Sequence, residues 1–147
     1  MCGIDTPQRR GQIFDYYVGL LFAQIDGATV AMKENPVSGE VDVLANCVEA
    51  SSQIRSLIGQ HTIVENKWEA TRTSLSETRT FHSKCADFIR GAVCHMAFLV
   101  SMKGLSKDAR DWLDHHSTPC IKVIEREDII DMAESNNVEE YLLTNFS

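Results

Sequence analysis

A mixed α/β fold, a sheet with both antiparallel and parallel neighbours and helices on its faces, is what this 147-residue sequence predicts. Three observations predict it. Apolar or β-branched runs of strand length occur at 41–45, 62–67 and 120–124, and the nearly unbroken apolar run 95–101 has the composition of a central strand covered on both faces. Helical apolar spacing separates the later strands, whereas the first three are separated by a turn signal and by a short segment in which only Ile54, Leu57 and Ile58 have helical spacing. The first three can therefore form an antiparallel meander, whereas strands reached through a helix call for parallel neighbours.

The elements follow in order. Residues 8–25 carry Phe14, Tyr17, Val18, Leu21 and Ile25 at one helical face, an apolar stripe that should pack on a sheet. Asp26-Gly27 breaks that pattern, and Ala28 to Met32 reads as a short strand before the turn signal Asn35-Pro36. Val41, Val43 and Leu44-Ala45 form the next strand, and Thr62 to Lys67 the third. Between them, Glu49 to Gln60 reads as a connection with one helical turn. Thr71, Thr73, Ser74 and Ser76 are candidate caps for a helix that buries Phe81, Cys85, Phe88 and Ile89 and stops at Gly91. His95 to Ser101 is the central strand. Ser106 caps a helix containing Ala109, Trp112 and Leu113, with Asp108 in its first turn. After Pro119, Cys120 to Ile124 is another strand, and two helical pieces broken around Asn136-Asn137 complete the chain.

Composition bounds the class. With 44% apolar and 24% charged residues and only 8 Gly and 3 Pro, the chain reads as one ordinary globular domain over 1–147. No run is long enough to span a bilayer, and no signal-peptide core is visible at the N-terminus, so no membrane partner and a cytoplasmic location are expected. The cysteines, Cys2, Cys47, Cys85, Cys94 and Cys120, are five in number and widely spaced, which favours reduced thiols over a disulfide framework. Cys94-His95, His115-His116 and Cys120 fit no tight zinc-ligand spacing.

A formal charge of −7 excludes a protein that coats nucleic acid through its whole surface. The charge is uneven, however: eight of the 14 Lys and Arg residues, but only four of the 21 Asp and Glu residues, lie between positions 67 and 110. That segment includes Arg72, Arg79, Lys84, Arg90, Lys103, Lys107 and Arg110, with Lys67 at its start, and a local phosphate-facing surface is compatible with it.

The most informative residues are Glu65-Asn66-Lys67. Strand alternation puts the Glu65 carboxylate and the Lys67 ammonium on one side, about 7 Å apart along the backbone. Asp42, set among Val41, Val43 and Leu44, can complete the site from a neighbouring strand, because a carboxylate beside a buried strand needs a compensating partner. Two hard carboxylates suit a magnesium-type cation that keeps part of its water, and a lysine beside them can steady or deprotonate the attacking water at a phosphodiester. By itself the triplet is a weak signal, because Glu and Lys are common and an exposed strand often alternates them as a solvated pair.

Further segments narrow the choice. Gly11-Gln12-Ile13-Phe14-Asp15, Gly39-Glu40-Val41-Asp42-Val43-Leu44-Ala45, Ile63-Val64-Glu65-Asn66-Lys67-Trp68 and the strand-to-helix block 97–109 together resemble the PD-(D/E)XK nuclease superfamily, whose fold is called restriction-endonuclease-like, and most of all its Mrr-like type IV restriction endonucleases. The resemblance implies a DNA-cleaving, magnesium-dependent endonuclease, with manganese as the alternative ion. It implies Asp42 and Glu65 as metal ligands, the Asn66 carbonyl as a further ligand, and Lys67 as the residue that orients or activates water. Asp15 would assist from the first helix, and Glu40, on the face of Asp42 if that strand is regular, would bind a second metal or tune the first. Lys67, Arg72, Arg79 and Lys84 are the expected contacts to DNA. One site cuts one strand, so duplex cleavage calls for a homodimer or two successive events. The chain departs from the family in having Asn66 where a cysteine or an apolar residue is commoner, and in the 22 residues between Asp42 and Glu65. The competing reading is a non-catalytic module of the same fold that binds DNA or a protein.

Overall fold

A computed structural model of the protein describes residues 6–37, 39–91 and 93–147. The chain runs through α1 (Pro7–Ala23), β1 (Thr29–Val37), β2 (Gly39–Asn46), α2 (Ser52–Ile58), β3 (His61–Lys67), α3 (Leu75–Gly91), β4 (Ala97–Ser101), α4 (Lys107–Asp114), β5 (Ile121–Glu125), α5 (Arg126–Ser135) and α6 (Val138–Asn145). All five strands join one sheet in the order β1-β2-β3-β4-β5. β1, β2 and β3 pair antiparallel with one another in sequence, and β3, β4 and β5 pair parallel. The expected mixed sheet flanked by helices is thus present, and the parallel connections run through α3 and α4.

Two apolar cores cover the two faces. On one, α1, α2, α5 and α6 pack Phe22, Ile54, Met132 and Leu142 against Val64, Phe98 and Val100. On the other, α3 and α4 pack Phe81, Cys85 and Leu113 against Ile63, Ala97 and Leu99. Alternation in β4 assigns Phe98 and Val100 to the first core and Ala97 and Leu99 to the second, and all five of its residues are buried.

Local chemistry fixes the helix ends. The Thr6 hydroxyl accepts from the Arg9 N–H at the start of α1, and Ser106 accepts from the Ala109 N–H at the start of α4. Ser74 and Glu77 form a reciprocal capping box before α3. Asn136, at φ 56°, ends α5 in the left-handed conformation, which breaks the C-terminal helices where the sequence places the break.

Three expectations need correction. The segment 49–60 holds a two-turn helix, α2, rather than a connection with a single turn. β1 runs on to Val37 through the Asn35-Pro36 turn signal, because β1 lies at the sheet edge, where a proline is tolerated. Tyr17, placed in the inner stripe of α1, is 41% exposed, while Phe22 occupies the core instead. Cys47, Cys85, Cys94 and Cys120 are free thiols, the first three buried, and Cys2 lies outside the described residues. No helix among the described residues is long and apolar enough to cross a membrane.

Candidate active site

The site begins with an irregularity in β2. Val43 is buried in the core on the α1 side and Val41 in the core on the α3 side, although residues two apart in a regular strand share a face. The hairpin therefore turns over at the intervening residue, Asp42. On the opposing strand, Met32 pairs with Val43 and Glu34 with Val41, and Lys33 between them lies at φ 56°, a conformation side-chain-bearing residues seldom adopt. This twist swings the Asp42 carboxylate onto β3, where Oδ2 accepts a 2.8 Å hydrogen bond from the Asn66 backbone N–H. Oδ1 accepts from Lys33 Nζ, also at 2.8 Å.

The same ammonium reaches α1. Lys33 Nζ donates to Asp15 Oδ2 at 2.5 Å, and the Asn66 side-chain amide donates to Asp15 Oδ1 at 3.1 Å. Asp15, Asp42, Asn66 and Lys33 thus form one network between α1, the hairpin and β3. Burial by itself would lower the Lys33 pKa, but the hydrogen bonds and negative charges of Asp15 and Asp42 outweigh it and hold the ammonium above its ordinary value. The amide orientation of Asn66 is set by Asp15, since the reverse would turn its oxygen on a carboxylate. Asn66 Oδ1 is left buried and without a hydrogen-bond partner among the described residues.

Glu65 and Lys67 emerge on the opposite face of β3, towards α3, as alternation requires. Lys67 Nζ lies 3.9 Å from Glu65 Oε2 and 3.4 Å from Glu77 Oε2, and Lys84 Nζ lies 3.5 Å from Glu65 Oε2. Burial raises the Glu65 carboxyl above its ordinary range, the charge of Asp42 raises it further, and Lys84 and Lys67 offset only part. The register continued one residue past the Val43–Val64 pair puts Asp42 opposite Glu65 across the β2–β3 boundary. Burial also works against the charged form of Glu77. The Ser74 backbone N–H, with Glu69, the Ser74 hydroxyl and Lys67, outweighs it and brings that carboxyl below the usual value.

The residues expected from sequence are distributed as follows. Asp42, Glu65 and Lys67 gather at the β2–β3 boundary, with Asp15 joined to Asp42 through Lys33. Antiparallel pairing from Val43–Val64 to Asn46–His61 brings the carboxylates near each other, and α2 takes up the 22-residue connection. The regular strand on which the Glu40 expectation rests is not found: Glu40 is exposed, and its backbone carbonyl accepts from Lys84 at 2.8 Å. Arg72 donates to the Leu105 carbonyl at 3.3 Å and lines a separate cleft, and Arg79 sits over the Trp112 ring at 5.7 Å. The Arg90 side chain lies outside the described residues. Trp68 packs on Phe14 with ring centroids 5.0 Å apart. Two functional candidates went unseen in the sequence, Lys33 and Glu77. For Glu77 the sequence carries a signal in the Ser74-x-x-Glu77 capping pattern, which points to a helix end but not to a lysine partner.

Among the described residues, no three His, Cys, Asp or Glu side chains converge as a ready metal cluster. The donor set at the boundary is smaller: the carboxylates of Asp42 and Glu65, while the orphaned Asn66 Oδ1 lies with Asp15 on the α1 face of β3. That set fits a hard cation which takes one or two carboxylates and keeps several waters. It fits with one condition, that the Lys33 ammonium gives up Asp42 Oδ1.

No protein-family model and no curated protein matches this sequence. The chain is similar to the crystal structure of a protein of unknown function, AF1548, at 17% identity and a TM-score of 0.53, over 82% of this chain and 67% of that one. A likeness at that identity supports the α/β fold.

Proposed function

We propose that this chain is a metal-dependent nuclease of the PD-(D/E)XK type, hydrolysing DNA phosphodiester bonds in a cytoplasmic, Mrr-like restriction or defence role. The observation that carries the reading is the meeting of Asp42, Glu65 and Lys67 where the twisted β2 meets β3. A divalent cation, when bound, supplies Lewis-acid polarisation of the phosphate and a more acidic water. Asp42 and Glu65 would hold it, and its charge would offset the burial, and the smaller repulsion from Asp42, that raise the Glu65 carboxyl. Glu77 holds the Lys67 ammonium 3.4 Å away, beside Glu65. From there Lys67 can orient the attacking water or stabilise charge developing on the phosphate.

The test is cleavage of plasmid, single-stranded and branched DNA with magnesium or manganese. Wild-type protein should cut at least one of these, and Lys67→Ala or Asp42→Asn should lose about a hundredfold or more in rate. If the wild type cuts none of them, or the variants cut equally well, the proposal fails.

One observation favours a second reading, a non-catalytic module that binds DNA or a protein. Both Asp42 oxygens already have partners, Lys33 and the Asn66 N–H, so the acid is satisfied without an ion. Metal-induced thermal stabilisation separates the two: the nuclease reading requires it in wild type and its loss in Asp42→Asn, and the module reading requires neither.

A further inference from the structure

Helix α1 is apolar on two faces. Its inner face buries Phe14, Val18, Leu21, Phe22 and Ile25. A second stripe, Ile13, Tyr16, Tyr17 and Leu20, lies roughly 130° round the helix at about 100° per residue and is between 41% and 65% exposed. Four large apolar or aromatic side chains at i, i+3, i+4 and i+7 are the pattern a helix uses to meet another helix. The patch continues at one side into an apolar recess of about 380 Å³ that Ile13 and Tyr17 line with Trp68 and Met102.

We infer that this face is the contact for a second copy of the chain, paired antiparallel about a two-fold axis between Tyr16 and Tyr17. The stripe is its own complement under that operation. Ile13 of one copy meets Leu20 of the other, and Tyr16 meets Tyr17, as an isologous contact demands. The charges agree as well. Arg9, exposed in the first turn of α1, sits where a cation is unfavourable to its own helix dipole. The antiparallel arrangement carries it to the far end of the second helix, beside the exposed Gln24 and Asp26, where a cation is favoured. A contact built on one helix and its flank lies at the small end of specific interfaces, so the dimer should be weak and concentration-dependent. This inference does not depend on the nuclease reading, because Asp15 lies on a different side of α1.

Sedimentation velocity of the full chain over a concentration series tests it. Wild type should pass from monomer to dimer, and Leu20→Glu and Tyr16→Glu should stay monomeric, with the wild-type thermal midpoint at concentrations where wild type is itself monomeric, since both side chains are exposed. Arg9→Glu and Asp26→Arg should each weaken the dimer about threefold, and the double variant should recover wild-type affinity. A wild type that is monomeric throughout overturns the inference, as does a dimer indifferent to Leu20→Glu or a charge-swapped pair without recovery. Binding of duplex DNA or anionic vesicles by a monomer, abolished by Leu20→Glu, assigns the face to another partner and equally overturns it.

Discussion

Lys33 shows what one side chain can decide at this site. Its ammonium joins two carboxylates whose side chains are only 12% and 16% exposed, and it does so from a backbone conformation that costs free energy. Removing it in Lys33→Met leaves Asp15 and Asp42 facing each other without a cation. The expected loss of stability is about 1 kcal/mol, since the half-exposed lysine is partly screened by water. Magnesium or manganese should restore that loss, and Lys33→Met should gain more thermal stability from the ion than wild type, because the ion no longer competes with a lysine. Thermal midpoints with and without the ion check this, and equal gains in both proteins would show that Lys33 and the ion do not share Asp42. Glu65 gives a prediction of the opposite sign. Its folded carboxyl is raised, so it favours the folded state below the ordinary glutamate range, and that contribution is lost as pH rises through its own higher value. Above that value the charged side chain is a burden on the fold. Glu65→Gln should therefore raise the midpoint at neutral pH without metal, converge with wild type in acid, and abolish cleavage. A midpoint that falls at neutral pH would show that the Lys67 and Lys84 contacts outweigh burial.

Elements were legible where their pattern was long or their ends were marked. α4 could be placed from Ser106, Asp108 and Leu113 because cap and apolar spacing agree, and Ser106→Ala should cost about 1 kcal/mol in denaturant unfolding. α2 was not legible. It is seven residues long, buries only Ile54 and Ile58, and depends on a Ser51 cap that looks like any loop serine. The hairpin turn-over was hidden for a different reason: local sequence at Asp42 reads as a regular strand, and the distortion comes from pairing with β1 and β3. Glu65 and Lys67 could be assigned to one face because alternation is local. The convergence of Asp42 with them depends on strand pairing across 22 residues, and Lys33 enters only through hairpin register. Gly27 carries a further test of the turn from α1 into β1. At φ 83°, a Cβ there would lie 2.1 Å from the Glu49 carbonyl oxygen, a backbone atom with little freedom to move. Gly27→Ala should cost about 2 to 4 kcal/mol, read as a lower denaturant midpoint with unchanged slope.

At the scale of the molecule, charge decides how a chain of net charge −7 could bind a polyanion. The surface as a whole repels DNA, so affinity must come from a local cluster. At the carboxyl ends of β3, β4 and β5 lies a cleft of about 770 Å³ whose lining includes Arg10, Arg72, Lys103 and Arg126, interleaved with Glu69, Glu125 and Glu127. It adjoins the candidate site through Trp68, the residue after Lys67. Arg126 stands at the first position of α5, where the helix dipole disfavours a cation and where Glu127 and Asp128 follow the ordinary preference. A placement that serves the helix poorly is compatible with service to a phosphate. If the cleft holds the DNA backbone, Lys103→Gln with Arg126→Gln should weaken duplex binding about tenfold in low salt without metal. The slope of log affinity against log salt should fall by about two, one per lost phosphate contact. The same changes at two exposed cations that do not line the cleft, Arg55 on α2 and Lys107 on α4, should alter neither quantity. Equal weakening by both pairs would mean that binding follows total charge alone, and the cleft would then have no claim to the substrate.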